Sequence, residues 1–382
     1  MNGWTGGALR SPVTLAPLVA DTPHSLVGAG GERWPVVDGI PFLRADRRSL
    51  ADLTLTLLDQ GDEAAALAAL LGDQDNWART PPPDGTACLA LVRDRDHLSF
   101  RDAMDRLAFG PVATYFAHRW TDPTYLSGLA LAEAHWTMPG RVFELACGAG
   151  QFLQAFLRGC PDVTGGDLVF SKLWLARHWV APAAQLVCFD AAAPWPLADA
   201  AADLVFCHDA LYFLPDKPHV AREMRRVAGQ GVVLVGHAHN ALVDNLSSGA
   251  PLSPADYADL FEEPVLYDDR DLTVALVEGR APCATTAAAL AEAPAIALAS
   301  RAPAARSVLG GLAVPAPGTV LQRNPLYRDA AIVWPSERYA AEYGSLATYP
   351  LKAEGPERAM AGEPGTEDLV RRRVLVELPT RW

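Results

Sequence analysis

The hydrophobic and polar positions of this 382-residue chain follow different periods in different regions. Between residues 46 and 137, leucine and alanine recur at helical spacing, as in "SLADLTLTLLDQGDEAAALAALLGD", which predicts a series of helices. From Arg141 onward, short apolar runs such as "RVFELAC", "AQLVCFDA" and "ADLVFCHD" alternate with helical patterns. Such alternation is typical of a parallel sheet covered by helices on both faces. The sequence therefore predicts an α/β fold with a doubly wound, Rossmann-like, mostly parallel sheet.

The pattern divides the chain into four predicted regions: a small β-rich element at 1–45, a helical cap at 46–137, a core at 138–280 and a C-terminal extension at 281–382. In the first region, "ERWPVVDGIPFLRAD" predicts two short strands joined by a turn at Asp38 and Gly39. Near the end of the core, "PVLYDD" and "LTVALVEG" predict the strands of a closing hairpin. We expect the extension to serve a substrate pocket or oligomerisation, or only to anchor its own aromatic residues.

Composition and charge narrow the class of protein. The net charge of −13 argues against nucleic acid or an anionic membrane as the main partner, because both are bound through clustered lysine and arginine. None of the six cysteines forms a CxxC pair, so neither a disulfide framework nor a zinc ribbon is expected. The N-terminus lacks the pattern of a secretory signal, and no apolar run has the length of a membrane span. We expect a cytoplasmic protein, and the sequence is compatible with a homodimer.

The stretch "RVFELACGAGQF" has the outline of a nucleotide-binding turn, with Gly148 and Gly150 at the turn itself. A pyrophosphate-binding turn favours a small residue three positions after the second glycine, where this chain has the large Leu153. Glu144 would repel a pyrophosphate but attract an ammonium or sulfonium group. The turn therefore favours a cationic, phosphate-free nucleoside such as S-adenosylmethionine, although a plain tight turn is the alternative.

Two further acids follow the next two predicted strands. Asp167 ends the second strand, where a carboxylate can accept hydrogen bonds from the hydroxyls of a ribose. Asp190 ends the third strand, where it can accept a hydrogen bond from an adenine amino group, while Leu168 and Phe189 could pack on the base. A single acid at a strand end is often only a helix cap. Three acids on one sheet edge indicate a cofactor site.

Several stretches in this order resemble the class I S-adenosylmethionine-dependent methyltransferases, with a core of the methyltransferase type 11 kind. They are "VFELACGAGQF", "TGGDLVFSKLWLAR", "VCFDAAAPWPLADAAADLVFCHDALYFLPDK" and "REMRRVAGQGVVLVG", within residues 138–240. The resemblance implies S-adenosylmethionine as cofactor. The chain departs from the family at one position of the turn, because Ala146 stands where the family commonly has the first glycine. The resemblance implies these cofactor-binding residues: Glu144, Ala146, Gly148, Gly150, Asp167, Leu168, Asp190, Ala191 and Cys207, the last bordering the sulfonium with His208.

Helices before the first strand commonly cover the cofactor in this family. In "TYFAHRW", Tyr115, His118 and Arg119 share one helix face at i, i+3 and i+4 spacing. The resemblance therefore implies that this face forms a lid, with Tyr115 against the cofactor. The alternative is a packed helix with one solvated edge.

Methyl transfer needs a base only if the acceptor must lose a proton. His208, with Asp209 and Tyr212 close by, follows the fourth strand, and His237 and His239 follow the fifth. His237 and His239 would face the same side of an extended chain. This spacing also occurs in metal sites, but no third ligand is fixed by the sequence, so no metal is predicted. The candidate catalytic residues are His208, Tyr212, His237 and His239, with packing or loop hydrogen bonding as the alternative for each histidine.

A second resemblance lies at the N-terminus. "LAPLVADTPHSLVGAGGERWPVVDGIPFL" is similar to the small Trm112-like zinc-ribbon modules. Ala16 and Val19 stand where the first cysteine pair of such a module is expected, so the element would be a ribbon without zinc.

Together these features predict a methyltransferase that acts on a small-molecule acceptor, such as a biosynthetic or secondary metabolite, at an oxygen, nitrogen or carbon atom. The acidic net charge favours a small acceptor. Two alternatives stay open: an RNA or protein methyltransferase, and a protein on this fold that binds without transferring methyl groups.

Overall fold

A short antiparallel sheet forms the N-terminal element of the computed structural model, which describes residues 9–74, 80–245 and 249–382. Its strands run in the order β1-β2-β3-β4, with the bounds Val19–Thr22 (β1), Ser25–Val27 (β2), Arg33–Val37 (β3) and Ile40–Pro41 (β4). The predicted turn between β3 and β4 is confirmed: Asp38 and Gly39 have φ angles of 53° and 76°, as a two-residue hairpin turn with positive φ requires.

Six helices follow the N-terminal element, as the helical period predicts. Ser99 begins the fourth helix with a capping box shared with Asp102, and Asp122 caps the sixth helix by accepting a hydrogen bond from the Thr124 amide at 2.7 Å. The helices are Arg48–Asp59 (α1), Glu63–Leu71 (α2), Gly85–Asp94 (α3), Phe100–Arg106 (α4), Pro111–His118 (α5) and Pro123–Ala134 (α6).

The central sheet has seven strands, and β5 to β9 are parallel. The strands are Arg141–Leu145 (β5), Asp162–Asp167 (β6), Gln185–Cys188 (β7), Leu204–His208 (β8), Val232–His239 (β9), Val265–Asp268 (β10) and Ala295–Ser300 (β11). The helices between them are Gln151–Phe156 (α7), Phe170–Leu175 (α8), Lys217–Ala228 (α9), Pro254–Asp259 (α10) and Asp269–Glu278 (α11). This arrangement confirms the predicted Rossmann-like α/β fold.

The order of the sheet is β10-β11-β9-β8-β5-β6-β7. The chain starts at β5, proceeds outward through β6 and β7, and then returns to the other side of β5 with β8. Ligands of open α/β sheets bind beyond the carboxyl ends of the strands at such a reversal. The fold therefore directs attention to the loops after β5 and β8, where the sequence places Ala146–Gly150 and Asp209.

The closing hairpin differs from its prediction. The stretch "LTVALVEG" lies in helix α11, not in a strand, so that expectation was wrong. The antiparallel partner of β10 is β11, which also pairs antiparallel with β9. Because β11 ends at Ser300, the sheet extends past residue 280, where the sequence pattern places the end of the core. Short apolar runs fit helix and strand alike, which explains the error.

The remaining chain forms two small sheets and two helices. One sheet has the order β15-β12-β16, and β13 pairs with β14 in a hairpin. The bounds are Val320–Arg323 (β12), Tyr327–Arg328 (β13), Ala331–Ile332 (β14), Glu337–Tyr343 (α12), Arg358–Met360 (β15), Thr366–Arg371 (α13) and Leu375–Val376 (β16). None of the helices in the described part of the chain combines the length and apolar character that a bilayer crossing requires.

The N-terminal element contacts the outer edge of the central sheet. Phe42 forms a parallel bridge with Cys188 of β7, and the amide of Leu43 donates to the Cys188 carbonyl at 2.7 Å. The buried Arg44 guanidinium donates to the carbonyl of Leu168 at 3.1 Å. Consequently the element closes the sheet edge beside the loops after β6 and β7.

Candidate functional site

The turn after β5 has an unusual backbone. Ala146, Gly148 and Gly150 have φ angles of 55°, 54° and 88°, a region that side chains with a Cβ atom enter at a cost of about 1–2 kcal/mol. Ala146 is therefore the strained member of the three. Ala146 holds a backbone conformation that glycine adopts without penalty, so this position of the turn has some cost in stability.

Asp167 holds this turn from the neighbouring strand. One carboxylate oxygen accepts from the amide of Gly148 at 2.9 Å, and the other accepts from the amide of Val169 at 2.9 Å. The ammonium nitrogen of Lys172 lies 4.0 Å from the carboxylate. Asp167 thus joins the loops after β5 and β6, and its role on a ribose stays a prediction.

Asp190 lies two residues beyond the end of β7. Its carboxylate accepts from the amide of Ala192 at 2.9 Å, while the carbonyl of the buried Ala191 accepts from the Trp195 indole at 3.1 Å. Since β5, β6 and β7 are adjacent and parallel, Glu144, Asp167 and Asp190 lie at the same edge of the sheet, as the sequence predicted.

Glu144 is buried within β5, and its Oε2 atom has no hydrogen-bond partner among the described residues. Burial raises the pKa of this carboxyl well above its ordinary value, and the charge of Asp167 adds to the effect, while Arg119 opposes it. A buried carboxyl oxygen without a partner is costly unless a ligand satisfies it. Its surroundings therefore suit a cationic or hydrogen-bond-donating ligand.

Phe116 of α5 covers the glycine turn. Its ring lies 2.8 Å from the position that a Cβ atom of Gly148 would take, and its carbonyl accepts from the Gln151 side chain at 3.1 Å. Two residues of the predicted lid face, Tyr115 and Arg119, are in contact: the Arg119 guanidinium lies over the Tyr115 ring, 4.9 Å from its centroid. His118 does not join them: its ring contacts the rings of Tyr339 and Trp382, each at 6.1 Å. The shared face of the three residues stays a prediction, and the C-terminal extension packs against the His118 side of α5.

A second group of polar side chains surrounds Asp209, directly after β8. The hydroxyls of Tyr212 and Tyr115 donate to its two carboxylate oxygens at 2.7 and 2.8 Å, and Arg119 approaches to 3.5 Å. Burial raises the pKa of Asp209, but the positive charges of His237 and Arg119 outweigh it, so the pKa falls below its usual range. We name this group the Asp209 cluster; its members are Tyr115, Arg119, Asp209, Tyr212, His237 and His239.

His237 and His239 close the cluster from the end of β9. Their Nε2 atoms lie 3.3 Å apart, and the Tyr212 ring stacks on His239 with centroids 3.9 Å apart. The Nδ1 atom of His237 lies 2.9 Å from the carboxylate of Asp269, which also accepts from the Ser127 hydroxyl at 2.8 Å. The predicted pairing of the two histidines on one side of the chain is thereby confirmed.

The two imidazoles have opposite pKa shifts. Burial lowers the pKa of His237, but the charges of Asp269 and Asp209 and the hydrogen bond that His237 donates to Asp269 raise it to about 9. Burial and the charge of His237 lower the pKa of His239 to about 4. Without a ligand, the pair therefore shares a single positive charge near neutral pH.

His208 has a different setting from the other candidates. Its ring lies parallel to the Phe206 ring, at 3° with centroids 5.7 Å apart, and 4.8 Å from the Phe152 ring. Burial lowers its pKa to about 3, and neither ring nitrogen has a partner among the described residues. Gly128 and Gly236 leave the space that this ring fills. A catalytic role for His208 stays a prediction.

Asp269 and Ser127 were missed from the sequence. Asp269 starts a helix that was predicted as a strand, and nothing local relates it to a histidine 32 positions earlier. Asp209 was noted only as a neighbour of His208. Asp209 has a positive φ of 55°, and its carboxylate faces the cluster. The residue type alone does not indicate this backbone conformation. Cys207 is buried at the end of β8.

Part of the central sheet, from β5 to β9, matches a known protein family. Residues 143–236 match a family described as a methyltransferase domain. A search among curated proteins gave no significant match. Among solved structures, the chain resembles phosphoethanolamine N-methyltransferase 2 of Haemonchus contortus in complex with S-adenosyl-L-methionine, at 16% identity over 55% of this chain and 60% of that chain, with a TM-score of 0.37.

Two other solved structures are similar at the same low level. One is a chain in the complex between the Haloferax volcanii Trm112 methyltransferase activator and a methyltransferase. Its identity is 18% over 45% of this chain and 72% of that chain, with a TM-score of 0.33. The other is the amino pentose methyltransferase CalS10 of Micromonospora echinaspora, at 23% identity over 33% and 55%, with a TM-score of 0.28. The chain thus spans less than two thirds of two of these three proteins.

Proposed function

We propose that this chain, whose core is that of a class I S-adenosylmethionine-dependent methyltransferase, methylates a small-molecule acceptor held at the Asp209 cluster. The observation that carries the proposal is the position of the cluster. It follows β8, which lies directly beside β5 and its glycine turn in the sheet, and β9, which is the next strand beyond β8. Donor and acceptor sites would then be neighbours across the reversal in strand order.

The donor side of the site uses the predicted cofactor residues. S-adenosylmethionine supplies an electrophilic methyl group. Glu144 would receive the amino acid end through its unpartnered buried oxygen, and Gly148, which faces the Phe116 ring, would line the same end. The remaining cofactor-binding residues of the proposal are Ala146, Gly150, Asp167, Leu168, Asp190, Ala191, Cys207 and Tyr115.

The acceptor side would be formed by the cluster itself. Tyr115 and Tyr212 hold the carboxylate of Asp209 through both of its oxygens, so it is fixed before any acceptor arrives. Asp209 then offers a hydrogen-bond acceptor to a polar group of the substrate, and the imidazole pair of His237 and His239 offers a donor or an acceptor according to its proton. Groups that are fixed in this way lower the entropic cost of aligning the acceptor with the methyl group.

Enclosure favours a small acceptor over RNA or protein. Arg119, His237 and His239 are 4%, 7% and 7% exposed. The C-terminal extension covers α5, where the Trp382 indole donates to the Ala117 carbonyl at 2.8 Å. Tyr343 of helix α12 is buried, and burial, with the charges of Asp122 and Asp209, raises its pKa well above the ordinary value. A polymer would need an open groove at the reacting group, and the acidic chain has no excess of positive charge for a nucleic acid.

The sequence-based expectations about location and assembly stay predictions. All six cysteines are free, which supports a reducing compartment such as the cytoplasm. A homodimer and a Trm112-like origin of the N-terminal element are untested.

The test combines cofactor binding with turnover. Calorimetry on the full chain should detect binding of S-adenosylmethionine, and a panel of small hydroxyl, amine and thiol acceptors should include one that releases S-adenosylhomocysteine. Tyr212→Phe should lower turnover at least 10-fold with unchanged cofactor affinity. Tyr327→Phe is the matched control, since it removes a hydroxyl bonded to Pro350 in the extension.

Absence of cofactor binding would reject the enzyme function in favour of a binding module. Transfer to RNA or protein, with none to any small acceptor, would reject the proposed substrate class.

A further inference from the structure

We propose that Asp209, His237 and His239 form a binding site for a divalent metal ion of the borderline class to which Zn²⁺ belongs. Their ligand atoms, one from each side chain, all lie within 4.8 Å of one another. The sequence suggested only the two histidines. The structure adds a carboxylate from another strand end, and two imidazoles with one carboxylate are a donor set that Zn²⁺ and Fe²⁺ accept.

The distance between the two imidazoles fits a shared ion. Two nitrogens at about 2.0–2.1 Å from a tetrahedral metal lie about 3.3 Å apart, and the two Nε2 atoms are separated by 3.3 Å. The same distance would suit a hydrogen bond between the rings, which requires a proton on one Nε2 atom. A proton and a metal ion are therefore competing occupants of the same position.

The surroundings of His237 favour the metal. Its Nδ1 atom faces Asp269, so with the proton on Nδ1 the Nε2 lone pair is directed into the cluster. Ser127 in turn fixes the other oxygen of Asp269. A carboxylate behind a metal-binding histidine sets the tautomer and orients the ring in this way. A histidine that only filled space would not need this two-step support.

Asp209 and His239 are also held from outside. Tyr115 and Tyr212 each donate to one oxygen of Asp209, which leaves lone pairs on both oxygens for a ligand bond. The ring of Tyr212 lies almost parallel to that of His239, at 11°. All three candidate ligands are thus fixed before an ion binds.

Charge balance supports a divalent cation. The guanidinium of Arg119 lies 3.1 Å from the carboxylate of Asp122 and 3.5 Å from that of Asp209, while the carboxylate of Asp269 lies 2.9 Å from His237. Three carboxylates therefore lie beside a single guanidinium at this site. Buried charge without a counter-charge is costly, and a divalent ion would balance it.

Three protein ligands leave at least one coordination position free, as in catalytic rather than structural zinc sites. This step rests on the proposed function: the free position would take an oxygen, nitrogen or sulfur atom of the methyl acceptor. The acceptor class is thereby narrowed to molecules with a hydroxyl, thiol or similar ligand group. Metal coordination lowers the pKa of such a group and aligns it.

The experiment measures metal binding without turnover. The full chain is treated with a chelator, dialysed and titrated with Zn²⁺ alone, with bound metal measured by mass spectrometry and calorimetry. We expect about one ion per chain at an open three-ligand site. Asp209→Asn and His239→Ala should each reduce zinc affinity at least 100-fold, and Asp269→Asn, a positioning change, should reduce it about 10- to 100-fold.

His97→Ala is the matched control because His97 is exposed in the 3₁₀ turn at Arg95–His97, outside the cluster. Circular dichroism checks that each variant is folded. A wild-type chain without bound zinc, or folded Asp209→Asn and His239→Ala variants with wild-type zinc affinity, would overturn the site. Zinc binding without methyl transfer would reject the proposed function alone, whereas methyl transfer without zinc binding would reject the metal site alone.

Discussion

The amide of Gly148 donates a hydrogen bond to the carboxylate of Asp167 at 2.9 Å, and this bond joins the turn after β5 to the end of β6. The same carboxylate also accepts from Val169. One side chain therefore determines the relative position of two loops that would hold the cofactor.

Replacing Asp167 should affect stability and binding together. Asp167→Ala leaves two backbone amides without acceptors, at about 1–3 kcal/mol for each buried donor left unpaired. We expect a lower free energy of unfolding in urea and a loss of S-adenosylmethionine affinity of at least 10-fold by calorimetry. Asp199→Ala, which removes an exposed partner of Arg226, is the control and should change neither quantity appreciably. Wild-type affinity in Asp167→Ala would contradict its assignment to the cofactor site.

Ala146 offers a change in the opposite direction. Because its φ is 55°, Ala146→Gly should relieve strain and raise the free energy of unfolding by up to about 1 kcal/mol. Thermal unfolding measures this. Ala149→Gly is the matched control in the same turn. It has no positive φ to relieve, so it should destabilise by roughly 0.5–1 kcal/mol. Destabilisation by both substitutions would show that the alanine is not strained.

Glu144 should give a pH signature in the ligand-free protein. Burial raises the pKa of its carboxyl above the ordinary 4.5, so the folded state binds a proton that the unfolded state has released. Stability from this group is therefore fully present below about pH 4.5 and is lost as the pH rises towards the folded-state pKa. Glu144→Gln removes this loss.

Urea unfolding of wild type and Glu144→Gln across pH 4 to 8 tests the effect. The variant should gain stability relative to wild type as the pH rises, while its S-adenosylmethionine affinity falls. A constant difference in the free energy of unfolding across this range would mean that the carboxyl titrates normally.

The packing around His208 can be tested at Gly128. A Cβ atom there would lie 2.5 Å from the Phe152 ring and 2.7 Å from the His208 ring. Gly128→Ala should therefore destabilise the chain by about 1–3 kcal/mol, the usual cost of overpacking a core. Gly85→Ala, at the start of α3, has no atom within 4 Å of the added methyl group and should be neutral or stabilising. Similar unfolding temperatures for both variants would place His208 in a looser environment than described.

The central sheet was predictable because the hydrophobic patterns of its strands and helices can be recognised within short stretches of sequence. Strand runs from "RVFELAC" to "QGVVLVGHA" alternate with helices, so β5 to β9 and the shared edge of Glu144, Asp167 and Asp190 follow from the sequence. The helix caps at Ser99 and Asp122 were predictable for the same reason, since a cap is decided within a few residues.

The Asp209 cluster was only half predictable. His237 and His239 are close in sequence, and alternation along a strand places them on one side. Asp269 reaches them only through tertiary structure, from a helix whose apolar spacing also suits a strand. His118 shows the same limit, because the helical period could not reveal that the C-terminal extension packs on its side of α5.

Strand β11 has a consequence for the order in which the protein assembles. It follows β10 in the chain, yet it lies between β9 and β10 in the sheet. Strand β10 therefore joins the sheet only through β11, whereas Asp269, at the start of α11, is also held by Ser127 of α6. Because β11 is synthesised after β10, a growing chain can form the glycine turn before the sheet beside Asp269 is complete.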